Sequence, residues 1–370
     1  MTFNPARLSI ARKRKMLNKK TFAERIGVQA LTITRWELRR SEPTSENLDE
    51  IARVLRYPKD FFFGPDLDEP ISELTSFRSQ ESMSAATREA ALAAGTIGFH
   101  ILDWIGERFE LPATDLPDLR VFEDPETAAR ALREEWGLGE KPITNMIHLL
   151  ESKGVRVLSL AENTLKVNAY SLRRSDGTPY VFLNTFKSAE CSRFDAAHEL
   201  GHLVLHQDGS VTGRQAEDQA NAFASAFLMP KSDVLASLPR VHSLQQIITA
   251  KARWRVSAAA LTYRVHKLGI ITDWKNRDLC IEISTKGYRK NEPRGIERES
   301  SVVWDKVLKG LWAEKITQHD IARALNIPIS EVADLLFGML NAAMPGSPTP
   351  PNRPLAVVSD PGEERSQATA

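Results

Sequence analysis

The sequence predicts a mainly α fold of the α+β class, with one small sheet in the middle of the chain. Apolar residues recur at helical spacing through most of its 370 residues. Short β-branched or aromatic runs, separated by polar turns, occur between residues 155 and 184. An apolar content of 42% and a charged content of 26% are ordinary for a globular protein. At this length the chain can form two or three domains, each with its own core.

No part of the sequence is suited to a membrane or to an oxidising compartment. No window approaches the ~20 apolar residues that a membrane-spanning helix needs. The N-terminal run MTFNPARLSIARKRK lacks the apolar core of a signal peptide. The two cysteines, Cys191 and Cys280, provide no disulfide framework. We therefore expect a cytoplasmic protein with no membrane partner.

The first 60 residues carry a strong excess of positive charge. They contain fourteen Lys or Arg and seven Asp or Glu, a net charge of +7, whereas the whole chain has a net charge of +1. This concentration predicts an acidic partner for the N-terminal end. The next segment, through about Pro142, is rich in Asp and Glu, which indicates a separate domain.

The N-terminal helices are predicted from their apolar spacing and from one glycine. Helices are expected over residues 5–17, Thr21–Gly27, Val28–Glu37 and Ser45–Leu55. Six side chains can pack the second helix on the third: Phe22, Ala23, Ile26, Val28, Ile33 and Trp36. Because Gly27 permits a tight turn between them, the pattern indicates a helix-turn-helix.

This pattern places a set of polar and basic residues where DNA would lie. The residues expected to face outward toward bases are Gln29, Ala30, Thr32 and Arg35, and those expected to meet phosphates are Lys19, Lys20, Arg39 and Arg40. Glu37 is expected to pair with a nearby arginine. Residues 5–64 resemble an XRE-type DNA-binding domain, here assigned to residues 1–66, and paired half-sites would suit a homodimer. The alternative is a small helical bundle for protein contacts, with solvated basic residues.

The middle of the chain is predicted to contain helices and then strands. An acidic, proline-punctuated linker over 65–70 precedes helices over Ser84–Phe109, Pro125–Trp136 and Ile143–Lys153. Three strands are expected over Val155–Leu160, Lys166–Leu172 and Tyr180–Asn184. We expect the last of them to be an edge strand that binds a substrate backbone beside the chemical site; the alternative is a core strand.

The chemical site is predicted in the run FDAAHELGHLVLH, residues 194–206, which contains H-E-x-x-H at His198, Glu199 and His202. Four residues are about one helical turn, so both imidazoles leave the same face and can bind one metal ion. Glu199 can then take a proton from a water on that metal and support peptide hydrolysis. The alternative is two ordinary histidines on a partly buried helix. The apolar residues on either side make this alternative costly, because they would bury the two histidines and buried histidines need polar partners.

A catalytic zinc needs a third protein ligand. The metzincin continuation H-x-x-G-x-x-H is absent, since Leu205 and Asp208 stand where its glycine and histidine would be. The run EDQANAFASAFLMP, residues 217–230, is a predicted helix that can bring the Glu217 carboxylate to the metal. Asp218 and His206 are the alternatives, although three ligands along one straight helix cannot all converge on one ion.

Together, AAHELGHLVLH and E-x-x-A-N-A-F-A-x-A-F-L-M-P resemble the ImmA/IrrE family of zinc metallopeptidases, here fused behind the helix-turn-helix. The resemblance extends from about Ile71 to Asp273 and implies a zincin-like domain, assigned to residues 71–275, with a small three-stranded or larger sheet. It implies that Zn²⁺, one per chain, is bound by His198, His202 and Glu217, and that Glu199 is the catalytic glutamate. The partner that it implies is a protein substrate of the transcriptional repressor type.

The C-terminal part is predicted to be helical. Ser243–Leu268 resembles a second helix-turn-helix, but its second helix is so apolar that packing is favoured over DNA contact. A strand and a charged loop are expected over 280–300, followed by helices over Val302–Leu311, Gln318–Leu325 and Ser330–Leu340. These elements form an appendage assigned to residues 276–344. Residues 345–370 are rich in Pro, Ser, Gly and charge, which predicts a disordered tail.

These features predict a DNA-binding transcriptional regulator with a zinc-dependent endopeptidase domain that cleaves a repressor-type protein through a water activated by zinc. An alternative is a transcription factor or antitoxin whose peptidase-like domain senses a ligand or metal without proteolysis. Hydrolysis of a small amide is a third, weaker hypothesis. The intact H-E-x-x-H favours the first hypothesis.

Overall fold

The structure, a computed structural model, describes residues 2–71, 75–76, 84–160, 169–207 and 210–340. Over these residues it has sixteen α-helices and one three-stranded sheet, which confirms the predicted mainly α fold. No helix in this part of the chain is both long and apolar enough to span a membrane.

The N-terminal bundle forms because its helices have good caps and a shared apolar core. Its helices are α1 Pro5–Arg14, α2 Lys19–Arg25, α3 Ala30–Glu37 and α4 Ser45–Leu55, followed by a short 3-10 helix Lys59–Phe63. Side chains of Asn4, Asn18 and Thr44 cap α1, α2 and α4. Phe22 and Ile33 are fully buried between α2 and α3, and Gly27 adopts a φ of +73° in the turn, as the sequence predicts.

A buried ion cluster joins this bundle to the C-terminal helices. Glu331, on α16 (Ile329–Leu336), lies 2.9 Å from Arg14 Nε and 3.4 Å from Lys15 Nζ. The Tyr57 hydroxyl donates to Glu331 Oε1 at 3.1 Å. Arg14, Tyr57 and Glu331 are all buried. Helix α16 therefore packs on the N-terminal bundle.

Replacing Glu331 by glutamine is expected to lower the free energy of unfolding by about 3–5 kcal/mol, because Arg14 then stays buried without a counter-charge. Burial alone would raise the pKa of Glu331, but Arg14 and Lys15 outweigh it and hold that pKa below its ordinary value. The stabilisation is therefore complete above the carboxyl's unfolded pKa of about 4.3 and is lost as the pH falls through the lower, folded value. Urea unfolding from pH 7 to pH 3 measures both effects.

Asp305→Asn is the matched control for this experiment. Asp305 pairs with Lys309 on an exposed helix face, where such pairs contribute about 0.3–0.5 kcal/mol. An unfolding free energy for Glu331→Gln within that small range of the parent would contradict the role given to the cluster.

The sheet contains β1 Arg156–Ser159, β2 Ala169–Arg173 and β3 Pro179–Leu183, in the order β1-β3-β2. Strand β3 pairs parallel to β1 and antiparallel to β2. The first residues of the strand predicted over Lys166–Leu172 lie outside the described residues. The prediction that Tyr180–Asn184 is an edge strand is wrong, because β3 is central; all five of its residues are buried, as in a strand covered on both faces.

The outer side of β1 is covered by the C-terminal helices. Ser159 Oγ donates a hydrogen bond to the carbonyl of Asp334. The short 3-10 helix Phe337–Met339 follows α16 and lies so close that a Cβ on Gly338 would be 2.4 Å from Ser159 Oγ. The other edge of the sheet is the outer side of β2, a strand that packs against the helix Ala189–Leu205, which contains the H-E-x-x-H residues.

The remaining helices precede or follow this sheet in the chain. Before it lie α5 Ala85–Gly106, α6 Pro125–Glu135 and α7 Met146–Ser152. After it come α8 Ala189–Leu205, α9 Gly213–Leu228, α10 Lys231–Ser237, α11 Leu244–Trp254, α12 Ala258–Lys267, α13 Asp273–Thr285, α14 Val302–Ala313 and α15 Gln318–Leu325. The strand predicted near residue 280 is wrong, because Leu279 and Ile283 are buried one helical turn apart on α13. Helix α12 packs against α9, α11 and α13, which fits the predicted packing role.

The described residues up to Leu340 form one compact unit. The domain boundaries predicted at residues 66, 71, 275 and 276 stay predictions. The disordered tail predicted over 345–370 lies outside the described residues.

Candidate metal centre

Helix α8 buries the H-E-x-x-H residues almost completely. His198 and Glu199 are 0% exposed and His202 is 7% exposed. Ser188 caps the N-terminus of α8, and the buried Arg193 donates to Glu299 and to the carbonyl of Ile143. The helix is thus fixed in position, and its histidines need polar partners inside the protein.

The side chains of His198, His202 and Glu217 converge on one point. One ligand atom from each lies within 4.8 Å of the others. The Nε2 atoms of His198 and His202 are 3.1 Å apart. Glu217 Oε2 is 3.5 Å from His198 Nε2, and Glu217 Oε1 is 3.3 Å from His202 Nε2.

These separations fit a tetrahedral zinc site. Zinc–nitrogen and zinc–oxygen bonds of about 2.0–2.1 Å at tetrahedral angles place neighbouring ligand atoms about 3.3–3.4 Å apart. The donor set is also suitable, because two imidazoles and one carboxylate are common zinc ligands and leave a fourth position open.

Close packing of α9 on α8 brings Glu217 to this point. A Cβ on Gly201 of α8 would lie 3.1 Å from Phe223 Cδ1 and 3.3 Å from Ala220 Cα, both on α9. A larger residue at position 201 would push the helices apart. Gly201 therefore permits the approach that places the carboxylate beside the imidazoles.

The Glu217 carboxylate is held in its ionised form. Burial raises its pKa, but the hydrogen-bonded and charged contacts with His198 and His202 outweigh burial, so the pKa lies well below its ordinary value. An ionised carboxylate is the form that binds a cation.

The two alternative ligands lie differently. The side chain of Asp218 is 72% exposed and its carboxylate is 3.8 Å from Arg214 Nε. His206 Nδ1 is 2.9 Å from His202 Nδ1, and His206 Nε2 is 2.9 Å from Gln219 Oε1. Burial lowers the pKa of His206 to about 4, so its ring is neutral at pH 7. His206 thus contacts the Nδ1 atom of His202, whereas the Nε2 atom of His202 faces the other candidate ligands.

Asn221 supports the other histidine, because its Oδ1 lies 3.1 Å from His198 Nδ1. A partner of this kind fixes ring orientation and tautomer.

Replacing Asn221 by alanine is expected to weaken zinc binding by about 10–100-fold, as loss of such a partner does in known metal sites. Competition with a chromophoric chelator measures the change. Gln215→Ala, at an exposed position of the same helix, is expected to bind zinc like the parent; equal affinity in both variants would remove Asn221 from the site.

Glu199, the neighbour of His198 on α8, has a carboxylate whose two oxygens lie in different environments. Its Oε2 accepts hydrogen bonds from Ser171 Oγ at 2.8 Å and from Ser76 Oγ at 2.6 Å. Its Oε1 is buried and has no hydrogen-bond partner among the described residues. A buried carboxylate oxygen without a partner costs free energy unless another polar group pairs with it. The sequence gives no signal for Ser171 or Ser76, which lie 28 and 123 residues from Glu199 along the chain.

The predicted DNA-contacting residues lie around α3. Exposed side chains are those of Lys20, Gln29, Ala30, Arg35, Arg39 and Arg40, while Lys19 and Thr32 are half-buried. Glu37 is 2.7 Å from Arg12 Nε, which confirms the predicted pairing, and it also lies 2.9 Å from Lys19 Nζ. Arg12 is buried, so the net charge of +7 overstates the positive charge that faces solvent.

The comparisons with known proteins agree with this arrangement. Residues 8–62 match the family model described as helix-turn-helix, and residues 150–266 match the one described as IrrE N-terminal-like domain, of peptidase family M78. No curated protein matches the chain. The chain therefore carries an XRE-type helix-turn-helix domain followed by an IrrE-like domain with a metallopeptidase-type fold.

Proposed function

We propose that this protein is a DNA-binding regulator of the cytoplasm whose second domain is a zinc-dependent endopeptidase, with a repressor-type protein as substrate. The observation that carries the proposal is the convergence of His198, His202 and Glu217 beside Glu199, whose Oε1 is buried and unpaired among the described residues. The XRE-type domain supports the regulatory role, because it would bring the peptidase to promoters. Paired half-sites would suit a homodimer.

The three converging side chains are the proposed ligands of one Zn²⁺ per chain. Zinc bound there would polarise a carbonyl group and lower the pKa of water toward neutrality. Glu199 would accept a proton at Oε1 and return it to the nitrogen of the leaving amine. Ser171 donates to Oε2 and leaves Oε1 without a hydrogen-bond partner among the described residues.

Metal analysis and a cleavage assay together test this function. We expect one zinc per chain in the purified protein, and peptide-bond cleavage in a repressor encoded beside this protein. Cleavage should stop when a chelator removes the zinc and return when zinc is restored. A chain that holds zinc but cleaves none of the neighbouring repressors would support the second candidate instead.

That second candidate is a regulator whose peptidase-like domain senses a metal or a ligand without proteolysis. It is favoured by the contact between Ser76 and Glu199, because a residue of the chain itself lies against the proposed general base. A sensor would change its DNA affinity when zinc is removed. A peptidase with no sensing role would not.

The DNA contacts predict a change in salt dependence. Arg40 is exposed and is expected to meet a phosphate, so Arg40→Ala should reduce the slope of log affinity against log salt concentration by about 1. Fluorescence anisotropy with a mixed-sequence duplex at several salt concentrations measures it. Lys309→Ala removes an exposed charge from the C-terminal helix α14 and should leave the slope unchanged. Equal slopes for the parent and Arg40→Ala would remove Arg40 from the contact surface.

A further inference from the structure

Ser76 lies against the outer edge of β2 and is bonded to it like a strand residue. Its backbone N–H donates to the carbonyl of Ser171 at 3.0 Å, and the backbone N–H of Ser171 donates to Ser76 Oγ at 3.0 Å. The N–H and C=O of one strand residue point to the same side, so these groups of Ser171 face away from β3, which pairs with the other side of β2. Ser76 thus occupies the hydrogen-bonding groups at the free edge of the sheet.

This edge is next to the candidate metal centre. Ser171 directs its hydroxyl to Glu199 Oε2 at 2.8 Å and to the Glu199 carbonyl at 3.5 Å. Arg173 of the same strand donates to the carbonyl of Leu203 on α8 at 3.0 Å. An extended peptide added to β2 as a further strand would therefore pass directly beside Glu199.

The side chain of Ser76 points into the site. Its Oγ lies 2.6 Å from Glu199 Oε2 and 2.9 Å from Ser171 Oγ. A peptide backbone at this edge and Ser76 cannot occupy the same space. The chain itself therefore covers both the strand edge and one oxygen of the proposed general base.

We propose that Ser76 is an internal competitor at the outer edge of β2, the edge at which a substrate main chain would add as a further strand beside Glu199. This inference rests on the proposed peptidase function. The occupant must leave before a protein segment can bind as an added strand. Access to the site is thus controlled by the residue that occupies it, Ser76.

The segment around Ser76 is held in place on its N-terminal side. Thr75 is buried, and its Oγ1 donates to the carbonyl of Ile71 at 3.0 Å. Earlier in the chain, Asp68 accepts a hydrogen bond at 2.6 Å from Nε of Arg174, the residue that follows β2. Asp68, eight residues before Ser76 along the chain, is thus anchored beside the end of β2.

Peptide binding to the zinc-loaded, full-length chain tests the proposal without relying on turnover. The probe is fluorescein-labelled tetra-alanine hydroxamate, an extended peptide with a zinc-binding end. Ser76→Ala removes the hydroxyl contacts, and Ser76→Pro also removes the N–H donor. Loss of each hydrogen bond corresponds to about fivefold. Because Ser76→Ala removes at least one such bond, we expect it to bind the probe at least about fivefold more tightly than the parent, and Ser76→Pro more tightly still. Ser76→Thr keeps both groups and should bind like the parent.

Hydrogen exchange of the β2 amides gives a second readout on the same proteins. Exchange in residues 169–173 should be faster in Ser76→Pro than in the parent, and the added peptide should slow it again. Equal probe affinity in the parent and Ser76→Pro, with equal exchange, would overturn the proposal. So would slower cleavage in Ser76→Ala at unchanged affinity, because Ser76 would then only position Glu199. If no variant cleaves any protein but probe affinity rises as expected, the peptidase function fails and the β2 site stands.

Discussion

Replacing Glu199 by glutamine is expected to lower the rate of peptide cleavage by about 10²–10⁴-fold, the usual contribution of a general base, while zinc content stays at one per chain. Glutamine keeps the shape of the side chain and can still accept hydrogen bonds from Ser171 and Ser76, so the helix and the ligands should be undisturbed. It cannot accept a proton at neutral pH. The measurement is kcat/KM on a cleaved repressor, together with elemental analysis for zinc.

Two controls make the Glu199 result specific. Glu282→Gln makes the same chemical change on α13, where Glu282 pairs with Lys286 at the surface, and should cleave like the parent. The midpoint of thermal unfolding should be similar in all three proteins. A Glu199→Gln variant that cleaves as fast as the parent would rule out Glu199 as the base.

The parts of the site that the sequence reveals are those encoded locally. His198 and His202 are four residues apart on one helix, so their common face follows from helix geometry alone. The short run after them keeps Glu217 near in sequence, and helical periodicity in α9 predicts which face it occupies. The structure brings these three side chains together as expected, and their binding of zinc stays a prediction.

The parts that the sequence does not reveal depend on contacts between distant segments. Ser76 reaches Glu199 across 123 residues, and Glu331 reaches Arg14 across 317. No local pattern reports such pairs, because each serine or glutamate looks like a solvated polar residue in its own segment. The wrong assignment of β3 has the same origin. A run of five residues reveals that a strand is buried, but its neighbours in the sheet are set by β1 and β2, which lie elsewhere in the chain.

The C-terminal helices, predicted as an appendage, contact both the N-terminal bundle and the sheet. Helix α16 pairs Glu331 with Arg14 of the N-terminal bundle and also covers β1 through Ser159. One helix thus contacts the DNA-binding part and one edge of the sheet, and β2 keeps the edge beside Glu199.

Replacing Glu217 by alanine is expected to weaken zinc binding by more than about 100-fold. Even the loss of a residue that only hydrogen-bonds to a metal ligand weakens metal binding by about 10–100-fold. The change leaves two imidazoles with their Nε2 atoms 3.1 Å apart, one protein ligand fewer than the three that a catalytic zinc site needs. Zinc affinity is measured by chelator competition, and cleavage at saturating zinc should recover only in part.

Asp218→Ala is the matched control, because it removes a carboxylate from the neighbouring position of the same helix. Its side chain is 72% exposed and faces Arg214, so zinc affinity and cleavage should equal those of the parent. His206→Ala separates the remaining alternative: His206 contacts His202 from behind, so its loss should cost less zinc affinity than loss of Glu217. If Glu217→Ala retains zinc at the parent's affinity while Asp218→Ala or His206→Ala loses it, Glu217 is not the third ligand, and the convergence that supports hydrolysis has another cause.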